Sequence, residues 1–372
     1  MATEPAIPTG GRSSRFPGVV SGFVLKLARQ SAGFTQERFA ESAGVDASTV
    51  QAWESGRRPL SAMQAGDFLL LRNSLTRAGA PPSIGRHLHE AVEADLVLSS
   101  GITAGGRWSE REPHPLAAMV HRRSLTNMIT WPVTGQPPAP LLAFTSKVPR
   151  RGPVPSGPSL TFEERTRFFD HLRAVAEQAI GPGHLLLRRQ AVYLLGFDHR
   201  TGTADWLRAE WQRAFRKKIS DGDVSGLLGT RSASVALAST GDGDRLHDFV
   251  AGISGEQAET ANLNYWAYWI GELADDQVDD AFMMRTDSRS WGGIQLMRHL
   301  IERLDVTTPQ LRLNLHSLHS LVALRPSLLT EWPQLHYPLT VVLEKIASTD
   351  SISRSARDQI AGLHYAVRIA GR

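Results

Sequence analysis

The chain has 372 residues, no cysteine and a net charge of only +4. That length leaves room for two or three domains, and the missing cysteine excludes a disulfide framework and thiolate chemistry. The opening residues MATEPAIPTGGRSSRFPG lack the apolar segment of a secretory signal, and no apolar run reaches membrane-spanning length, so a soluble, cytoplasmic protein without membrane contact is expected.

Residues 1–18, rich in Gly, Pro and Ser, read as a disordered tail, with Arg12 and Arg15 better taken as part of a flexible tail than as a minor-groove arm. Residues 19–82 then carry three short helical patterns and a fourth that closes them. Val20, Phe23, Val24, Leu27 and Ala28 recur at a spacing of three and four, which marks one helix face, and Gly33 stops that helix. Thr35 is placed to cap a second helix through Phe39 and Ala40, and Gly44 supplies the tight turn that ends it. Asp46 is placed to cap a third, in which Val50 and Trp53 point inward. Met63, Phe68, Leu69, Leu71 and Leu75 predict the fourth helix, which ends at Ala80-Pro81-Pro82. Two helices joined by a short Gly-containing turn form a helix-turn-helix, with the second free to enter a major groove.

Thr35-Gln36, Phe39-Ala40, Gly44-Val45, Ser48-Thr49-Val50, Trp53-Glu54, Gly56 and Pro59 together resemble the Cro and lambda-repressor class, the XRE family, over about forty residues. The resemblance implies a domain that binds double-stranded DNA. On the third helix, Ser48, Gln51, Ala52 and Ser55 lie opposite Val50 and Trp53, about 100° per residue around the wheel. Gln51 can make paired hydrogen bonds to adenine, Ser48 can serve either base type, and Ala47 or Ala52 can touch a thymine methyl. The resemblance places Ala47, Ser48 and Ala52 at base-contacting positions. Two alanines there make direct readout sparse and give weight to DNA shape. Phosphate contacts are expected from Thr35 and Gln36 at a helix N-terminus, from Ser55, and from Arg57 and Arg58. The family pairs the residue at Glu54 with an arginine of the first helix, here Arg29, as a structural ion pair. Residues 1–82 hold nine Lys/Arg against six Asp/Glu, so most of the positive excess sits in this part.

Further along, a helical connector is expected over 83–131, with helices at 84–98 and 114–130. Residues 132–159 carry eight prolines and read as an extended linker that cannot be helical. Within it Arg150-Arg151 reads as solvated. From 160 to 372 an all-α domain is expected. Thr161 and Glu164 form a capping box for a helix over 162–180. The spacing of 43 residues from Val192 to Val235 and from Leu194 to Leu237 suits HEAT-type helical pairs, and an irregular bundle fits nearly as well.

Several residue groups invite a chemical reading. Tyr265, Trp266, Tyr268 and Trp269 can line a ligand pocket but are better read as core. Asp275, Asp276, Asp279 and Asp280 lack the glycine and alternation of a calcium loop. His316 and His319 share a helix face, followed by His336, without a glutamate in frame for metal chemistry. No enzyme activity and no cofactor are expected. The fold class is therefore all-α: a lambda-repressor-like helix-turn-helix domain followed by a large bundle or HEAT-like region. The function expected is a sequence-specific transcriptional regulator on palindromic DNA, cytoplasmic and nucleoid-associated. Its C-terminal region would serve homodimerisation, a protein partner or a small-molecule effector. The alternative is an interaction module of antitoxin or anti-regulator type with secondary DNA binding.

Overall fold

A computed structural model describes residues 18–144, 156–216, 224–253, 255–285, 291–349 and 352–371. The expected tail with Arg12 and Arg15 and the pair Arg150-Arg151 lie outside the described residues, except that Gly18 is described and buried. The described residues form helices and 3-10 turns, with no strand among them.

Two compact units divide the chain. The first takes in residues up to Gly105 together with Leu125–Phe168, and the second takes in Gly106–Ser124 with Phe169–Arg372.

The first unit opens with α1 (Val19–Ser31), α2 (Gln36–Ala43), α3 (Ala47–Glu54), α4 (Ala65–Arg77) and α5 (Ile84–Ala104). Helix α5 runs six residues past its expected end. Its buried face, Ile84, Leu88, Ala91, Asp95, Leu98 and Ile102, keeps a spacing of four and three through the glycine at 101. This face packs on α1, so residues 83–105 complete the core that α1 to α3 begin.

The contact includes a cap that crosses the core. The Asp95 carboxylate accepts from the N–H of Val20 at 3.0 Å and of Ser21 at 2.9 Å, two donors of the first turn of α1. A helix start has no intrahelical partner for these groups, and burial would leave them unsatisfied. Gly18 sits beside them and donates its N–H to Gly56 O at 3.0 Å, which ties the chain entering α1 to the end of the α3 segment.

Helices α1 and α3 also approach closely, and Gly22 is the reason they can. A Cβ at that position would lie 2.4 Å from Trp53 O and 2.9 Å from Glu54 O, both backbone atoms with little freedom to yield. Gly22→Ala is therefore expected to destabilise the first unit by about 1–3 kcal/mol, the usual cost of overpacking, despite the better helix propensity of alanine. Amide exchange in α1 and α3 measures it, and protection equal to that of the parent protein would count against this contact.

Residues 114–130 were expected to be one helix. Instead a single 3-10 turn at Pro115–Ala117 precedes α6 (Arg123–Thr134). The backbone in between finds partners elsewhere: Val120 N–H donates to Gln277 O at 2.8 Å and His121 N–H to Gln190 Oε1 at 2.6 Å. The start of the proline-rich stretch is helical as well. Pro132 lies within α6, and Ala139–Phe144 form a 3-10 helix. A proline removes only its own N–H and crowds the carbonyl four residues back. Burial of Leu125, Met128, Ile129 and Trp131 on the same helix carries the backbone through it.

The remaining helices are α7 (Phe162–Gln178), α8 (Leu185–Leu195), α9 (Thr203–Arg216), α10 (Val224–Ser239), α11 (Asp244–Gly252), α12 (Glu256–Trp269), α13 (Ile294–Glu302), α14 (Leu311–Leu324), the short α15 (Ser327–Glu331), α16 (His336–Ala347) and α17 (Arg354–Ala370). The capping box of α7 is formed. Thr161 N–H donates to Glu164 Oε2 at 2.8 Å, and Glu164 N–H donates to Thr161 Oγ1 at 3.2 Å. In the second unit α8, α9, α10 and α11 pack as successive neighbours, and α12 to α17 share one apolar cluster. The described residues after Ser159 are dominated by helices.

Candidate nucleic-acid interface

Local sequence builds α2 and α3 as a pair. The Thr35 hydroxyl accepts from Arg38 N–H at 3.2 Å and starts α2. Gly44 ends it in the left-handed region at φ 68°, where the N–H groups of Gly44 and Val45 close on the last carbonyls. Asp46 precedes α3 with extended backbone, but its side chain makes no cap bond; Thr49 and Val50 donate to its carbonyl instead. Val50 and Trp53 are buried. Ser48, Gln51 and Ser55 are exposed, and Ala47 and Ala52 are half-buried. One turn of helix thus shows a hydroxyl and an amide side by side, bordered by two methyl groups.

The Arg29 and Glu54 side chains meet inside the domain. Arg29 donates Nε–H to Glu54 Oε1 at 2.5 Å and Nη2–H to Oε2 at 3.0 Å. Its Nη1 donates to Phe34 O at 2.5 Å, in the turn between α1 and α2. Both side chains are almost wholly buried. Gln36, expected on a phosphate, gives its amide Nε2–H to Glu54 Oε2 at 2.7 Å. The amide is drawn inward because the buried carboxylate has acceptor capacity beyond its two bonds to the guanidinium, and an unfilled lone pair there is costly. One carboxylate therefore joins α1, the first turn of α2 and the end of α3. Gln36 keeps its position at the start of α2.

The two arginines after α3 part company. Arg57 is exposed and donates Nε–H to Ser55 Oγ at 3.2 Å, so its cation stays beside the end of α3. Arg58 donates its backbone N–H to Ala52 O at 3.1 Å, and its side chain lines a groove with Thr49, Trp53, Met63, Asp67 and Leu70.

Two charged residues of α2 escaped the sequence reading. Glu37, in the first turn, has its carboxyl held below the usual carboxylate range by its own backbone N–H and by the Thr35 hydroxyl. It places a negative charge near the expected phosphate position. Arg38, exposed and stacked 4.5 Å from the centre of the Phe34 ring, offsets it with a cation on the same turn. The pattern Phe34-x-x-x-Arg38 was the available signal. No sequence signal marked Asp95 or Gly22, whose partners lie far along the chain.

The groups flagged in the second unit take structural positions. Tyr265, Trp266 and Tyr268 are buried. Trp266 Nε1–H donates to Ser317 Oγ at 3.0 Å, and Tyr268 OH donates to Val120 O at 2.7 Å. Asp280 pairs with buried Arg189, and Asp276 lies 3.3 Å from Arg122. His316 sits between Glu259, at 3.0 Å, and Gln359, at 3.2 Å.

A domain in which two short helices meet at a left-handed glycine, with the second exposing polar groups and followed by arginine, is a helix-turn-helix domain. Residues 25–65 match the family model described as Helix-turn-helix. No curated protein and no solved structure matches the chain. The chain thus carries an XRE-type helix-turn-helix over these residues, with a long helical region after it, and is a DNA-binding regulator of that type. No helix among the described residues is long and apolar enough to cross a membrane.

Proposed function

We propose that the protein is a cytoplasmic, sequence-specific transcriptional regulator that binds palindromic double-stranded DNA as a homodimer. The observation that carries this reading is the face of α3: Ser48 and Gln51 exposed, Val50 and Trp53 buried beneath them, and Arg57 held at the helix end. Gln51 and Ser48 read base edges, Ala47 and Ala52 meet thymine methyls, and Thr35, Gln36, Ser55, Arg57 and Arg58 approach phosphates. With so few polar groups on α3, one domain reads little sequence. A two-fold pair reaching half-sites about 34–36 Å apart doubles that information and makes the second contact intramolecular. The C-terminal helical region supplies the dimer contact, a partner site or a sensor. Neither a reaction nor a cofactor is assigned to it.

Selection of bound fragments from random DNA by the purified protein tests the reading directly, and recovery of unrelated sequences without two-fold symmetry would oppose it. On a selected site, Arg57→Ala should weaken specific and random DNA alike and lower the salt slope by about one unit. Gln51→Ala should instead shift the preference among sites by about 1–3 kcal/mol. Equal losses on specific and random DNA for Gln51→Ala would remove it from the base-reading set.

A further inference from the structure

Helix α17 carries an outer stripe that the core does not use. Asp358, Ala361, Tyr365 and Arg368 follow one another at intervals of three, four and three, and all four are exposed. Tyr365 is 57% exposed, and the Arg368 guanidinium lies 5.3 Å from the centre of its ring. The opposite face, with Ala356, Ile360 and Leu363, is buried in the helical core. The stripe therefore has the heptad spacing of a helix-helix seam, yet points to solvent.

The order of residues in the stripe is self-complementary. About a centre at residue 363, Asp358 and Arg368 are equidistant, and so are Ala361 and Tyr365. Two copies of α17 laid antiparallel about that centre set Asp358 against the partner's Arg368 and Arg368 against the partner's Asp358. The small Ala361 then faces the partner's Tyr365, and the reverse. An isologous contact requires this arrangement, in which residue i meets j and j meets i. A seam from 358 to 368 runs about 15 Å. The neighbouring helix extends it. His336, at the start of α16, lies next to Gly371, at the end of α17, so the two helices run antiparallel. Tyr337 and Val341, 78% and 46% exposed, then come level with Ile369 and Tyr365. An exposed helix face that is apolar at its centre marks a contact surface.

We infer that α17 packs antiparallel against α17 of a second copy of this chain, with paired Asp358–Arg368 contacts across a two-fold axis. This rests on the homodimer reading above and names the surface that forms it. The charges set register and orientation, and Tyr365 in the space over Ala361 supplies the apolar contact.

The test is a charge exchange in the full-length protein, followed by sedimentation equilibrium without DNA. The wild-type chain should be a dimer. Asp358→Arg alone and Arg368→Asp alone each place two like-charge contacts in the seam and should raise the dimer dissociation constant by about tenfold or more. The double variant Asp358→Arg with Arg368→Asp restores both pairs in reversed sense and should recover the wild-type constant. Ala361→Arg should block the seam independently. All these positions are exposed, so unchanged circular dichroism and melting are expected. A wild-type dimer that none of the variants weakens would overturn the α17 contact and leave the homodimer reading standing. A wild-type monomer would overturn both.

Discussion

Glu54→Ala is expected to unfold the DNA-binding domain at temperatures the parent protein tolerates. The substitution leaves the Arg29 guanidinium buried with only Phe34 O to accept from it, and the inward amide of Gln36 loses its partner. Removing one member of a buried pair costs about 3–5 kcal/mol, most of it from the stranded charge. That is a large share of the net stability of a small unit. Arg29→Ala should cost a similar amount, and the double variant less than the sum, because it strands no charge. A double-mutant cycle on the full chain, read by amide exchange in α1, α2 and α3, measures the coupling. Simple additivity would mean the two side chains act independently.

Asp95→Ala is the second large effect, and it comes from a residue outside the helix-turn-helix. The change leaves the Val20 and Ser21 N–H groups buried without acceptors, at about 1–3 kcal/mol for each. Loss of exchange protection should concentrate in the first turns of α1. The same carboxyl gives the domain a pH dependence. Burial raises its pKa to about 6, while the hydrogen bonds from Ser21 and Val20 pull the other way. An aspartate in the unfolded chain titrates near ~3.9. Between these values the folded state holds more protons than the unfolded one, so stability falls as pH rises from about 4 to about 6 and is level above. Asp95→Asn should remove that slope while changing little else in its pH profile. A variant with the same slope as the parent would place the titration elsewhere.

These two sites show which parts of the domain the sequence reveals. Thr35, Gly44, Val50 and Trp53 act on neighbours within a turn or two, so their spacing alone reveals helices α2 and α3. The Arg29–Glu54 pairing was legible only through resemblance to a family, since nothing in the spacing of residues 25 apart requires contact. Gly22 and Asp95 were not legible at all. Gly22 reads as a weak helix residue until α3 lies against it, and Asp95 reads as one more polar residue on a helix until α1 starts beneath it. The inward turn of Gln36 was hidden for a similar reason, because it depends on a carboxylate 18 residues away. Pro132 misled in the opposite sense. Composition over 132–159 argued against helix, whereas burial of the preceding apolar residues decided the matter locally.

The distance between Asp95 and the amides it caps has a consequence during synthesis. A ribosome adds about 5–20 residues per second. Residue 95 follows Val20 by 75 positions, so α1 leaves the ribosome about 4–15 s before its cap exists. For that interval the helices of the helix-turn-helix domain are present in sequence but lack the carboxylate that closes the first of them, and the apolar face meant for α5 is open to the surrounding solution. A nascent chain stalled before Asp95 would therefore expose a target for chaperones and proteases, whereas one long enough for all of α5 to have emerged from the ribosome would bury it.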